Sequence, residues 1–192
     1  AHAVELDERA AVERAAADAL AFEDAVSLVA RRGRMMQDST PAGSGAMAAV
    51  LGLDDDVLTR VCAEAAQGEV VSCANFNSPG QIVIAGQKAA VDRACALASE
   101  AGARRAIPLA VSVPSHCALM KPAAKQMDAA LKEVTIRVAR IPVVHNVDVA
   151  VQQDADGIRK ALVQQLWKPV RWSGIIQYLI DQGVGRYAEC GP

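Results

Sequence analysis

Residues 70–85, VVSCANFNSPGQIVIA, decide how this chain folds. Two short runs, 70–76 and 81–85, are rich in β-branched and apolar residues. Between them lie Asn77, Ser78, Pro79 and Gly80, four residues that favour a turn. The spacing therefore predicts a β-hairpin. Downstream, Val91, Ala94, Cys95 and Ala98 recur at helical spacing over 88–101, and Gly102 ends that helix. The run RAIPLAV at 105–111 predicts a further strand, which Pro108 moves toward an edge or a bulge. Upstream, AMAAVLGL at 46–53 predicts a strand. Asp54 can cap a helix running to Gln67, with Val57, Leu58, Val61, Cys62 and Ala65 on one face and Gly68 as its stop. The order over 46–111 is β-α-β-β-α-β, the split, ferredoxin-like pattern.

The flanks read differently. DSTPAGSG at 38–45 is a breaker and sets a boundary. Before it, 22–37 predicts a helix with Val26, Leu28, Val29 and Met36 as its apolar positions, and the alanine-rich 1–21 reads as helix by propensity. After the β-α-β-β-α-β stretch come a helix at 119–133, a buried strand at 142–149 and a helix capped by Asp154 or Asp156 that runs to Trp167 and stops at Pro169. A helix at 170–182 follows, with Trp172, Ile175, Ile176, Leu179 and Ile180 inward, and then a terminal strand at 184–190. Alternating strands and helices suggest part of a parallel α/β sheet. The expected organisation is a discontinuous large α/β domain, 1–43 and 113–192, with 44–112 inserted in it.

The 192 residues include 20 Lys and Arg against 22 Asp and Glu, a net charge of −2. With no basic stripe, a nucleic-acid partner is not expected. No apolar run approaches the ~20 residues of a spanning helix, and no signal peptide opens the chain. A cytoplasmic location follows as the expectation. The five cysteines are widely and irregularly spaced with no CxxC, so they read as small buried hydrophobes and neither a zinc site nor a redox pair.

Few residues can carry chemistry. His116, in VPSHC at 113–117, falls on the junction between the two predicted subdomains. A cleft-facing acid or base belongs there, although a lone histidine also serves as a hydrogen-bonded structural residue. His145 lies inside an apolar run and reads as a core histidine. Arg32 belongs to the cluster Arg31-Arg32-Gly33-Arg34. It fits either a solvated helix end, where cations suit the dipole, or a guanidinium fork for a carboxylate. Gln165 lies near the face of Leu162 and Leu166 and can complete a hydrogen-bond network or sit at the surface. The sequence contains no G-x-S-x-G elbow, Walker loop, GxGxxG or H-E-x-x-H.

Several stretches taken together resemble a known family. They are RGRMMQ (32–37), GAMAAV (45–50), NFNSPGQIVIAG (75–86), SVPSHCALMKPAA (112–124), PVVHNVD (142–148) and QLWKPVRW (165–172). In this order they resemble the bacterial malonyl-CoA:acyl-carrier-protein transacylases over roughly 19–192. The resemblance implies an α/β fold, with a partial α/β-hydrolase-like large domain carrying a ferredoxin-like small domain. It implies transfer of malonyl from coenzyme A to the phosphopantetheine thiol of acyl carrier protein in fatty acid synthesis, through a serine in a G-H-S-L-G elbow. Malonyl-CoA is then the substrate, acyl carrier protein the partner, and no metal or other cofactor is needed.

By position, the resemblance makes His116 the general base and Gln165 the residue that orients it. Arg32 becomes the partner of the malonyl carboxylate, with Ser115 and Met36 as further substrate-binding positions. The family's serine elbow falls near position 7, where this sequence reads Leu6-Asp7-Glu8-Arg9. No nucleophile is found. The expectation is a chain incomplete at both ends and inactive on its own. The alternative is a non-catalytic paralogue that binds acyl-CoA or acyl carrier protein. Lys88, Arg93, Arg104 and Arg105 are candidate contacts for an acidic carrier, or ordinary solvated charges.

Overall fold

The computed structural model describes residues 17–111 and 113–188. The predicted order over the centre of the chain is the observed one. Strand β1 (Gly45–Leu51) leads to helix α2 (Asp55–Ala66), then strands β2 (Val71–Ser78) and β3 (Gln81–Gln87), helix α3 (Lys88–Glu100) and strand β4 (Arg105–Pro108). The strands form one antiparallel sheet in the order β2-β3-β1-β4. β4 is an edge strand, as Pro108 requires, and it ends at that proline instead of running to Val111.

Side-chain alternation along the strands builds two apolar layers. Ala48 and Val50 of β1, Ile82 and Ile84 of β3, and Val71 and Cys73 of β2 point toward α2 and α3. There they pack with Leu58, Val61, Ala65, Val91 and Ala94. Met47, Val83 and Ala85 point to the opposite face, where Cys117 covers them. In β2 the register slips between Cys73, opposite Ile84, and Asn75, opposite Val83, so Ala74 is an extra residue. This bulge flips the parity of the strand and returns Phe76 to the helix-covered side.

The flanking segments form a second, helical core. Helix α1 (Phe22–Asp38) packs with α4 (Lys121–Leu131) and α5 (Ala155–Gln165) around Leu28, Met36, Met120, Met127, Leu131, Ile158, Leu162 and Leu166. Pro122 sits in the first turn of α4, where its missing N–H costs nothing. Asp154 caps α5, its side chain accepting from the Gly157 N–H at 2.7 Å.

Several expectations for the flanks fail. The run 142–149 is not a buried strand. Only Val144–His145 (β5) is extended, and it pairs with Ala150–Val151 (β6) in a two-stranded antiparallel ribbon. No parallel sheet forms among the described residues. The one parallel pairing there is a single bridge between Asn75 and Val170, closed by Val170 N–H to Ala74 O and Phe76 N–H to Val170 O, each 2.8 Å.

Helix α6 (Trp172–Asp181) buries Ile175, while Trp172 and Ile180 are about half exposed, so they do not face a core. In α1, Val26 is exposed and the buried stripe is Ala25, Leu28, Arg32 and Met36. The predicted strand at 184–190 is irregular over 184–188, and its last two residues lie outside the described ones, as do 1–16 of the predicted N-terminal helix. Residues 17–20 form turns. Ala17 and Ala19 accept main-chain hydrogen bonds from Arg140 and Arg137. No helix among the described residues is long and apolar enough to cross a membrane.

Candidate active site

The loop 113–117 runs between the two cores. Val113 belongs to the helical one, and Cys117 covers the open face of the sheet. Its entry is sterically fixed. A Cβ on Gly45 would lie 2.5 Å from the Pro114 ring, so only glycine lets the start of β1 approach this loop. Pro114, Ser115, His116 and Cys117 are all buried.

His116 has φ +60°, a conformation that residues other than glycine seldom adopt. Two bonds from the end of α5 hold it there. The His116 N–H donates to the Leu166 carbonyl at 3.1 Å, and the ring Nδ1 lies 2.7 Å from the Gln165 carbonyl. A carbonyl only accepts, so Nδ1 carries a proton. The contact between His116 and Gln165 runs through the main chain of Gln165, not its side-chain amide.

The arginine cluster divides by helix phase. Arg31 points outward and pairs with Glu133 at 2.7 Å. That hydrogen bond raises the arginine pKa and lowers the carboxyl below the usual glutamate range. Arg34 turns back onto its own helix, Nε donating to Ala30 O at 3.3 Å. Arg32 lies on the buried stripe between Leu28 and Met36 and is only 7% exposed. The helix runs on to Asp38 with no basic residue in its last turn, so none of the three sits at its end; Arg31 and Arg34 are on its outer side and Arg32 is buried. Met36, one turn on, is part of the helical core beside Met120 and Val113. Ser115 is buried next to His116.

The other candidates separate from this group. His145 is buried in the β5–β6 ribbon, apart from the 113–117 loop in the chain. Arg93 is not a free surface cation. Its guanidinium donates to the carbonyls of Ala65 and Ala66 and to Glu69, at 2.9, 3.1 and 2.7 Å, which ties down the C-terminal end of α2. Lys88 pairs with Asp92 along its own helix, while Arg104 and Arg105 are exposed.

Cys117, beside the histidine, is no substitute nucleophile. Its Sγ donates to Pro114 O at 3.2 Å, and burial pushes its pKa up to about 11, so it stays a thiol at neutral pH. Among the described residues no three His, Cys, Asp or Glu side chains are grouped to hold a metal ion.

Sequence reasoning missed two features. The carbonyls of Gln165 and Leu166 are main-chain groups and leave no residue signal. Trp167, the next residue, has the Lys121 and Lys168 ammonium groups 5.1 and 5.5 Å from its ring centroid. Its position in QLWKPVRW was the available hint.

Comparison with known proteins identifies the family. The acyl transferase domain family matches residues 6–190, reaching further toward the N-terminus than the motifs do. The malonyl CoA-acyl carrier protein transacylase of Escherichia coli (strain K12) is 55% identical over 171 residues, which are 89% of this chain and 55% of that protein. The crystal structure of a malonyl-CoA:acyl carrier protein transacylase from Xanthomonas oryzae superposes with a TM-score of 0.91 at 55% identity, covering 93% of this chain and 57% of that one. A malonyl-transacylase solved in complex with a type II PKS acyl-carrier protein superposes with a TM-score of 0.88 at 51% identity, covering 89% and 55% of the two chains. This chain thus spans a little over half the length of the relatives it matches. It is a mixed α/β protein that belongs to the acyl transferase domain family.

Proposed function

We propose that this chain carries the substrate-reading and proton-transfer part of a malonyl-CoA:acyl-carrier-protein transacylase of fatty acid synthesis. His116 is the general base, and Gln165 is its positioning residue. Arg32 pairs with the malonyl carboxylate, and Ser115 and Met36 line the acyl site. The observation that carries this reading is the protonated Nδ1 of His116 on the Gln165 carbonyl at 2.7 Å, together with the burial of Arg32 on the stripe between Leu28 and Met36. The identity to named transacylases supports it.

The chemistry is acyl transfer. A hydroxyl gives its proton to Nε2 of His116 as it attacks the thioester carbonyl, and the imidazolium then returns the proton to the departing thiolate. A buried guanidinium selects malonyl because acetyl offers it no carboxylate, a difference of roughly a few kcal/mol. No metal or cofactor enters the scheme, and the acceptor is the phosphopantetheine thiol of acyl carrier protein in the cytoplasm.

The 192 residues contain no G-x-S-x-G elbow. Proposed for these 192 residues is binding of malonyl thioesters without formation of an acyl-enzyme. In fold terms, 1–43 and 113–192 form part of an α/β-hydrolase-like large domain, and 44–112 is its ferredoxin-like small domain. The β2-β3-β1-β4 sheet with α2 and α3 packed on one face supports the second assignment.

Intact-mass spectrometry with and without malonyl-CoA tests the chemical claim. The expected result is no covalent adduct together with saturable binding. A stoichiometric malonyl adduct means a nucleophile is present, and peptide mapping then locates it. Absence of any malonyl-CoA binding leaves the non-catalytic, carrier-binding paralogue as the reading.

A further inference from the structure

We propose that Lys121 and Lys168, held against the indole of Trp167, bind the phosphate of a phosphopantetheine thioester at the lip of the His116 loop. This inference rests on the reading above that the chain handles such thioesters, and it names where their phosphate is held.

Both ammonium groups lie close to one ring, at 5.1 and 5.5 Å from its centroid. Two like charges on one indole repel, and the electron-rich ring face offsets only part of that repulsion. The Lys168 Nζ also donates to the neutral Gln164 Oε1 at 3.0 Å. Among the described residues, no carboxylate forms an ion pair with either lysine, in contrast to Lys88 and Lys132, which are paired along their own helices.

The surrounding sequence keeps the charge uncompensated. Residues 101–127 contain four Lys or Arg and no Asp or Glu, and 157–180 likewise contain four and none, although the whole chain is net −2. These two acid-free stretches meet where the His116 N–H donates to the Leu166 carbonyl at 3.1 Å. Trp167 follows Leu166 directly, and Lys121 is five residues beyond His116. The local field beside the candidate base is thus positive on a mildly acidic protein, an arrangement that draws in an anion. The ligand chemistry that fits is a phosphate with a flat or apolar neighbour: up to five N–H donors from two ammonium groups, the sixth being given to Gln164, beside an indole wall.

Coenzyme A and a loaded carrier both present such a phosphate, and one experiment separates the sources. The chain has two tryptophans. Trp172→Phe, at a half-exposed position, leaves Trp167 as the sole reporter. Its fluorescence is titrated with CoA, with pantetheine, which lacks the phosphate, and with carrier protein with and without its phosphopantetheine arm.

Saturable change with CoA and with the armed carrier is expected, with none from pantetheine or the bare carrier at the same concentrations. Lys121→Gln and Lys168→Gln should each weaken CoA binding about fivefold and flatten its salt dependence. Pantetheine binding as tightly as CoA, bare carrier binding as tightly as armed carrier, or lysine variants equal to the parent would each overturn the assignment. The malonyl reading is scored separately in the same titration. If CoA and malonyl-CoA bind alike, the Arg32 role fails while the lysine effect stands. If malonyl-CoA still binds better but the lysine variants are silent, the phosphate site fails alone.

Discussion

The imidazole of His116 and the carbonyl of Gln165 are 2.7 Å apart, and this one contact fixes which ring nitrogen is protonated. It joins the 113–117 loop to the last residue of α5, two segments far apart in the chain. Because the acceptor is a main-chain oxygen, Gln165→Ala should leave the Nδ1–H tautomer in place. Nitrogen-15 shifts of His116 check this. A variant with mixed tautomers would mean that the side-chain amide does the orienting.

The loop also depends on Gly45. A methyl group there would meet the Pro114 ring at 2.5 Å, and that ring is fully buried, so it cannot swing away. Gly45→Ala should destabilise the fold by about 1–3 kcal/mol in denaturant titration. Gly33 has open space around its α-carbon inside α1. Gly33→Ala should raise stability by roughly 0.5–1 kcal/mol. Equal effects at the two sites would contradict the packing described for the loop.

Burial holds the Cys117 thiol at a pKa of about 11, so its thiolate is scarce at pH 8. Iodoacetamide at that pH should leave Cys117 unmodified in the native protein and, among the described cysteines, label the half-buried Cys95 first. Rapid labelling of Cys117 would show that the loop opens readily.

The Arg31–Glu133 pair gives a pH signature of defined sign. The arginine hydrogen bond lowers the Glu133 pKa in the folded state. Its stabilisation is therefore present above the ordinary glutamate pKa of about 4.3 and fades as pH falls through the lowered folded value. Glu133→Gln should melt slightly below the parent at pH 7 and alongside it in strong acid. Both partners are solvent-facing, so the shift should be small. A larger gap in acid than at neutral pH would reverse the assignment.

The small sheet was legible because its signals are local. The turn, the stops at Gly68 and Gly102 and the Pro108 edge each act within a few residues, although the turn is Pro79–Gly80 and not the predicted Asn77–Gly80, because β2 continues through Ser78. The bulge at Ala74 was not legible, since it depends on what β2 meets across the sheet. The flanks misled for a related reason. An apolar run such as 142–149 reads as a buried strand whether or not partner strands exist, and among the described residues it pairs only with Ala150–Val151. The inward position of Arg32 was readable from its place four residues after Leu28 and four before Met36. The anchoring of His116 was not, because both acceptors are carbonyls with no side-chain signature. Its proposed role as base came from family resemblance and the protonation of Nδ1 from the structure.

The central claim is that buried Arg32 reads the malonyl carboxylate. Equilibrium binding of malonyl-CoA and acetyl-CoA to the parent chain and to Arg32→Ala tests it most directly. The parent should prefer malonyl-CoA by on the order of 10- to 100-fold. Arg32→Ala should lose that preference with acetyl-CoA binding unchanged. A preference for malonyl-CoA that survives in Arg32→Ala, with the variant folded, would contradict the account.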